Sequence, residues 1–140
     1  YDPSGRSHNS KAIRLMRLLD AYINLSGHHT ISWEELNKLG PINIPASRFL
    51  RPYMKPLAII DNLRVRRIMK GMTHAAKHNH IFHLWWHPHN FGSDIDKNLA
   101  GLNKILTHFK YLQKTYGMRS LNMIEVKNEA RRIQDNMGNT

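Results

Sequence analysis

Ile81-Phe82-His83-Leu84-Trp85-Trp86-His87-Pro88-His89-Asn90-Phe91-Gly92 is the stretch on which the fold turns. It reads as a buried strand running straight into a loop dense in His, Trp and Asn. Buried strands are ordinarily built from Val, Ile and Leu, because polar side chains are costly to bury without partners. Here two tryptophans and three histidines fall within residues 83–89, and Pro88 ends the strand where the chemistry is richest. The two-residue period puts His83, Trp85 and His87 on one face and Phe82, Leu84 and Trp86 on the other. The apolar face suits packing against helices, with Trp86 expected in the core. The imidazole face suits lining a site.

Apolar spacing places helices on both sides of this strand, which is expected over about residues 80–86. Residues 1–12 are expected to be loop. Ile13, Met16, Leu19, Tyr22 and Ile23 then form a helical stripe over residues 10–24, broken by Ser26-Gly27-His28-His29. Ser32 and Glu35 have the spacing of a capping box and open a short helix that ends near Gly40-Pro41. Four prolines between Pro41 and Pro56 predict irregular chain, ordered by Phe49, Leu50 and Tyr53. A helix over 57–77, with Pro56 in its first turn, carries Leu57, Ile60, Leu63, Ile68, Met72, Ala75 and Ala76.

Beyond the strand, Ser93 or Asp94 caps a long helix built on Leu99, Leu102, Ile105, Leu106, Phe109, Leu112 and Tyr116. Gly117 stands at its C′ position. An extended piece at 119–121 and a last helix, capped by Asn122 with Glu125 and ending near Gln134, complete the pattern.

Composition narrows the function classes. A chain of 140 residues suffices for one core and predicts a single domain over 1–140. The absence of cysteine removes disulfides, thiolate metal sites and thiol catalysis together. No apolar run approaches the ~20 residues of a membrane span. The 21 Lys and Arg against 10 Asp and Glu leave a formal net charge of +11, which favours polyanionic partners such as nucleic acid or acidic glycans. These bases are spread along the chain. Their clusters at Arg64-Val65-Arg66-Arg67 and Arg131-Arg132 are expected on solvated helix faces.

The alternation of helix, strand, long helix, short strand and helix is that of a helix-rich parallel α/β fold with one clear buried strand. A lone strand has unpaired edges and cannot close a barrel. The chain also opens at Tyr1 rather than Met. Both observations predict a piece of a longer protein, with strands missing upstream.

Phe82-His83-Leu84-Trp85-Trp86-His87-Pro88-His89-Asn90-Phe91 resembles the late His-containing strand of the polysaccharide deacetylases, the NodB-like carbohydrate esterases. It is most similar to their branch associated with bacterial surface-polysaccharide biosynthesis. The similarity extends to Ser47-Arg48-Phe49-Leu50-Arg51-Pro52 and to the long helix after the loop, within Lys11 to Arg132. The resemblance implies the C-terminal portion of an irregular (β/α) barrel and an enzyme that removes acetyl groups from N-acetylated sugars. It also implies a divalent, zinc-like metal held by an Asp and two His, with a second Asp as general base. The motifs that carry these ligands and the base have no equivalent here, so they are expected on the missing N-terminal half of the domain. His74 and His78, four residues apart, lack the motif that precedes such ligands. The isolated chain is accordingly expected to be inactive, and the biosynthetic branch favours a cytoplasmic setting.

The family role that falls on this chain is that of His87, the general acid that protonates the leaving amine. Near-neutral titration suits a histidine to that task, and barrel enzymes gather catalytic groups at the C-terminal ends of strands. Trp85 stands where the family has a small apolar residue; it walls a sugar pocket or fills the barrel interior. His83, deeper on the same face, is expected to be a satisfied structural histidine. His89 and Asn90 line the site mouth or fix the loop through their own backbone. Arg48 and Arg51 resemble the Arg-x-x-Arg-Pro part of a motif that positions the base, and a structural loop or a contact to an anionic substrate fits them equally.

Two rival classes stand beside this reading. His78, His80, His83, His87 and His89 suggest a metal-binding module, although strand geometry divides them between faces. The net charge suggests a nucleic-acid- or anionic-glycan-binding module, although the bases form no recognisable nucleic-acid motif.

Overall fold

The computed structural model describes residues 11–38 and 44–138, which form five helices and a two-stranded parallel sheet. In chain order these are α1 (Lys11–Tyr22), α2 (Trp33–Lys38), β1 (Arg48–Phe49), α3 (Asp61–His78), β2 (Leu84–Trp85), α4 (Ile95–Tyr116) and α5 (Met123–Gly138). Short 3-10 segments, Lys55–Ile60 and Pro88–Phe91, lead from each strand toward the helix that follows it. The fold is α/β at this level and helix-rich. Of the loop expected over residues 1–12, residues 11 and 12 already belong to α1, and residues 1–10 lie outside the described residues, as does the end of the second helix expected at Gly40-Pro41.

The local signals form as their chemistry dictates. The Ser32 amide donates to Glu35 Oε2 at 3.0 Å while the Glu35 amide donates to Ser32 Oγ at 3.1 Å, a reciprocal capping box. Asn122 and Glu125 repeat the pattern at the start of α5, at 2.7 and 3.0 Å. Gly117 ends α4 at φ 68°, its amide donating to the Gln113 carbonyl at 3.1 Å. The start of α4 differs from expectation. Asp94 holds the N-cap position at φ 51° without a side-chain capping bond, and its carboxylate lies 3.8 Å from Lys55 Nζ instead.

Arg48 pairs with Leu84 and Phe49 with Trp85 in parallel register. The Ser47 and Arg48 amides donate to the His83 carbonyl at 2.9 and 3.2 Å, and the Leu50 amide donates to the Trp85 carbonyl at 2.9 Å. Parallel strands need a crossover of a dozen or more residues, and α3 provides it. α3 and α4 run in the same sense. Arg64 lies against Gly101 near their starts, Thr73 bonds His108 further along at 2.8 Å, and both C-terminal ends line one crevice. Two successive βα units thus stand side by side.

This pairing corrects the expectation of one strand followed by a single extended piece. β1 lies inside the segment predicted to be irregular, because two residues carry no alternation and become a strand only through their partner. The piece at 119–121 forms no strand. The faces of β2 follow the two-residue period: Phe82 and Leu84 pack with Leu50, Val65, Ile68, Met72, Ile105 and Leu112 in the main core. Trp86, expected in that core, is 36% exposed and stacks on Phe91 at 6.2 Å. A second apolar cluster, Ile31, Leu36, Val126 and Ala130, joins α2 to α5. Ile31 bridges Ile81 through reciprocal backbone bonds of 3.1 and 2.8 Å.

The expected apolar stripes are buried only in part. Met16 and Leu19 of α1, Ile23 just beyond it, Leu63 of α3 and Leu99 and Leu106 of α4 are all exposed. Periodicity located these helices correctly but could not say which side of each has a neighbour.

The larger correction concerns charge. Arg64 and Arg67, expected on a solvated face, are 2% and 3% exposed, whereas Arg66 between them is exposed. Arg64 grips Asp61 through Nε and Nη2 at 2.9 and 3.2 Å, and its Nη1 donates to the Arg51 carbonyl. Arg67 lies 3.8 Å from Asp20 and donates to the Gly27 carbonyl. Arg48 reaches the same carboxylate at 2.5 Å and the same carbonyl at 3.1 Å. Asp20 also accepts the Leu25 and Ser26 amides at 3.0 and 2.9 Å. Burial alone would raise the Asp20 carboxyl, but the hydrogen bonds from Arg48 and Ser26 outweigh it and hold the group well below the usual carboxylate range.

Two predictions follow from this packing. Asp20→Asn leaves Arg48 and Arg67 without their carboxylate and is expected to cost about 3 kcal/mol at neutral pH in urea unfolding. A depressed carboxyl contributes stability above the ordinary value of about 3.9 and loses it as the pH falls through the folded value, so the gap between variant and wild type should narrow in acid. Gly71→Ala would place a methyl 2.7 Å from the Phe82 ring and is expected to cost about 1–3 kcal/mol in the same assay.

Candidate functional site

The two strands end at one edge of the sheet, and the loops that leave them carry the candidate residues. β1 runs out through Leu50, Arg51 and Pro52, and β2 through Trp86 and His87. This C-terminal edge, facing the starts of the following helices, is where parallel α/β proteins place ligands.

Four rings gather there in a row. Trp85 packs on Phe49 at 4.6 Å, directly across the sheet register. His87 meets Trp85 edge-on at 5.0 Å and 89°, and His89 stacks on His87 at 5.1 Å and 15°. Pro88 explains this arrangement, because it cannot extend the ladder and suits the first turn of the 3-10 segment in which His89 lies. His87 keeps extended backbone, φ −101° and ψ 133°, and its carbonyl accepts the Asn90 amide at 2.9 Å. The rings of His87 and His89 are exposed and show no hydrogen bond to any other described residue. An exposed, unengaged imidazole beside an indole can exchange a proton with a bound polar molecule while the aromatic faces contact its apolar side.

The other candidates divide. The Asn90 side-chain carbonyl is buried beside this row without a hydrogen-bond partner, whereas its backbone serves the turn. Arg48 has intramolecular partners in Asp20 and the Gly27 carbonyl, so its guanidinium is committed to holding α1 and the 23–31 loop against β1. Arg51 contributes its carbonyl to Arg64, and its side chain is half-buried at the site edge. His83 is a satisfied structural residue: its Nδ1–H donates to the Ile44 carbonyl at 3.2 Å and its amide to Ser47 Oγ at 3.0 Å.

Asn98 was missed by the sequence reading. It is 2% exposed and clasps the two site loops together. Its Oδ1 accepts the Tyr53 amide at 2.7 Å, and its Nδ2 donates to the Ser93 and Asp94 carbonyls at 2.8 and 3.3 Å. Its position could have betrayed it, since Asn98 continues the Leu102, Ile105, Phe109 and Leu112 stripe one turn toward the N-terminus. Arg64 gives the same signal, lying on the stripe of Ile68, Met72 and Ala75.

Among the described residues, no group of three or more His, Asp or Glu is arranged to hold a metal ion. His87 and His89 have no converging carboxylate, and His78 and His80 lie at the other end of β2 beside α3, so the five-histidine set of the metal-module reading does not come together. The deacetylase resemblance itself places the ligands of its divalent metal outside this chain, and no described residue is assigned to that metal. A crevice of about 140 Å³ between Trp33, Phe82, Tyr116 and Met118 also lies at the N-terminal end of β2, away from the ring row. Among the described residues no helix is long and apolar enough to cross a membrane. No protein-family model matches the chain, and neither a curated protein nor a solved structure matches it.

Asn98→Ala strips the Tyr53 amide and two carbonyls of their partner inside the fold. The expected cost is about 2–3 kcal/mol in chemical denaturation, with faster amide exchange at Tyr53 than in the centre of α4.

Proposed function

We propose that this chain is the C-terminal portion of an irregular, NodB-type (β/α) barrel, and that His87 serves there as the general acid in deacetylating an N-acetylated sugar. The observation that carries the reading is the placement of His87. It is an exposed, unengaged imidazole at the C-terminal end of a parallel strand, with Trp85 and Phe49 forming an aromatic wall beside it. The adjacent parallel βα units suit such a barrel. Phe82, Leu84 and Trp86 direct their backbone groups away from β1, toward an edge that another strand can join. The exposed apolar stripes of α1 and α4 supply surface for the remaining barrel helices to cover.

In this reading a water molecule adds to the acetyl carbonyl, and the tetrahedral adduct collapses with cleavage of the C–N bond. The electron pair of that bond goes to nitrogen, which takes its proton from the His87 ring as acetate departs. Trp85 stacks on a sugar face, and His89 and Asn90 border the mouth of the pocket. Arg51 borders the same edge, while Arg48 acts only through the position of β1. The divalent metal and the general base belong to residues outside this chain, and the substrate is a bacterial surface polysaccharide or its precursor.

The test is acetate release from N-acetylated sugars by the full-length parent, wild type against His87→Ala. A drop of about a hundredfold or more, with stability changed by less than about 0.5 kcal/mol because the ring is exposed, is the expected result. An unchanged rate in an active enzyme would assign His87 a structural role. Inactivity of both proteins, with retained affinity for acidic glycan, would favour a binding module.

A further inference from the structure

Away from the ring row, four imidazoles from three parts of the chain converge at the C-terminal half of α3. His28 of the 23–31 loop stacks on His74 of α3 at 4.7 Å, and His74 stacks on His78 at 4.1 Å. His80, leading into β2, lies 5.8 Å from His78 and 6.1 Å from His74. Thr30 Oγ1 bridges His74 Nδ1 and His80 Nδ1 at 3.2 and 3.0 Å, and His78 Nδ1–H donates to the His74 carbonyl at 2.8 Å. The proposed reaction uses none of the four.

Hydrogen-bond chemistry fixes the protonation of the outermost ring. Arg67 Nη1 lies 3.3 Å from His28 Nδ1, and a guanidinium can only donate. His28 must therefore offer a lone pair at Nδ1, which a doubly protonated imidazolium does not have. We propose that this imidazole stack is an acid-sensitive latch, closed while His28 and His74 are neutral and opened when they protonate, releasing the 23–31 loop from α3.

The surroundings reinforce the direction. Arg67 and Lys70 from α3 and Arg48 from β1 act on His28, so a new positive charge there is opposed by these cations. Asp20 of α1, the nearby carboxylate, is already engaged by Arg48 and two loop amides. Glu35 of α2 acts on His80 but is occupied by its capping box with Ser32. His29 in the same loop turns to Ser26 Oγ at 2.6 Å. Burial first, and then neighbouring positive charge, pushes both His28 and His74 toward the neutral form. Histidines with lowered affinity for protons stabilise the folded state fully above about pH 6.5, and that contribution disappears as the pH falls through their folded values.

Loop release has a defined route inward. The Gly27 carbonyl accepts from both Arg48 and Arg67, so lifting the loop takes one acceptor from each guanidinium and leaves both to Asp20. Arg48 precedes Phe49, the residue that touches Trp85. The inference stands independently of the deacetylase reading, since it concerns only the loop, α3 and β1.

Hydrogen exchange of this chain tests it, with rates corrected for intrinsic pH dependence, between about pH 7.5 and about pH 5. Amides of the 23–31 loop, Ile31 above all, should lose about tenfold or more of their protection relative to the Ile105–Leu112 stretch of α4. The pair His28→Asn and His74→Phe keeps an acceptor for Arg67 and a ring for the stack without a titrating group, and should flatten that loss. Loop and α4 changing in parallel in the wild type, or an undiminished loss in the double variant, would overturn the latch. Should the double variant fail to fold, ring titration of wild-type His28 by NMR decides: a midpoint below the ordinary histidine value of about 6.5 supports the latch, and a midpoint at or above it overturns it.

Discussion

Parallel pairing of Arg48–Phe49 with Leu84–Trp85 is the constraint on which the remaining arrangement depends. Parallel neighbours cannot be joined by a tight turn, so the chain between them must cross over, and α3 is that crossover. Its return aligns α3 with α4, and it brings the loops that follow both strands to one edge. The meeting of Phe49, Trp85, His87 and His89 is a direct consequence. Backbone bonds and one serine hydroxyl hold a ladder only two residues long, so packing must supply the rest: Phe82 against Gly71, Leu84 in the core, and Asn98 clasping the loops.

Charge plays a different part from the one suggested by composition. A net charge of +11 directs attention to external polyanions, yet Arg64, Arg67 and Arg48 are spent inside the fold. They bridge separate elements by donating to backbone carbonyls and carboxylates. Guanidinium suits this use because its donors are fixed in a plane and it stays ionised. One carboxylate, Asp20, serves two of them together with two loop amides, so α1, the 23–31 loop, β1 and α3 meet at a single anion. The imidazole stack borders the same assembly through the contact of His28 with Arg67.

Much of this architecture was legible locally. The two capping boxes and the glycine at the end of α4 follow from interactions within a few residues of one another, as do most of the helix spans, although residues 57–60 form a 3-10 segment and α5 runs past Gln134 to Gly138. The alternating faces of β2 were legible for the same reason, as was the satisfied role of His83. β1 was not, because two residues hold no periodic signal and the pairing that makes them a strand comes from residues 36 positions later. Nor was the exposure of Trp86, Leu99 and Leu106, since an apolar stripe announces a helix face without naming what covers it.

What the sequence determined by itself was therefore the short-range part: where helices start and stop, which face of β2 is apolar, and that His87 stands at the end of a strand before a proline. Tertiary structure alone decided which arginines are buried, that Asn98 rather than a loop residue clasps the site, and that His28, His74, His78 and His80 share one stack. The physical reason is range. Capping, turn and alternation energies are settled between near neighbours, whereas the sign of a charged or imidazole side chain's contribution depends on partners that only folding brings within a few ångströms.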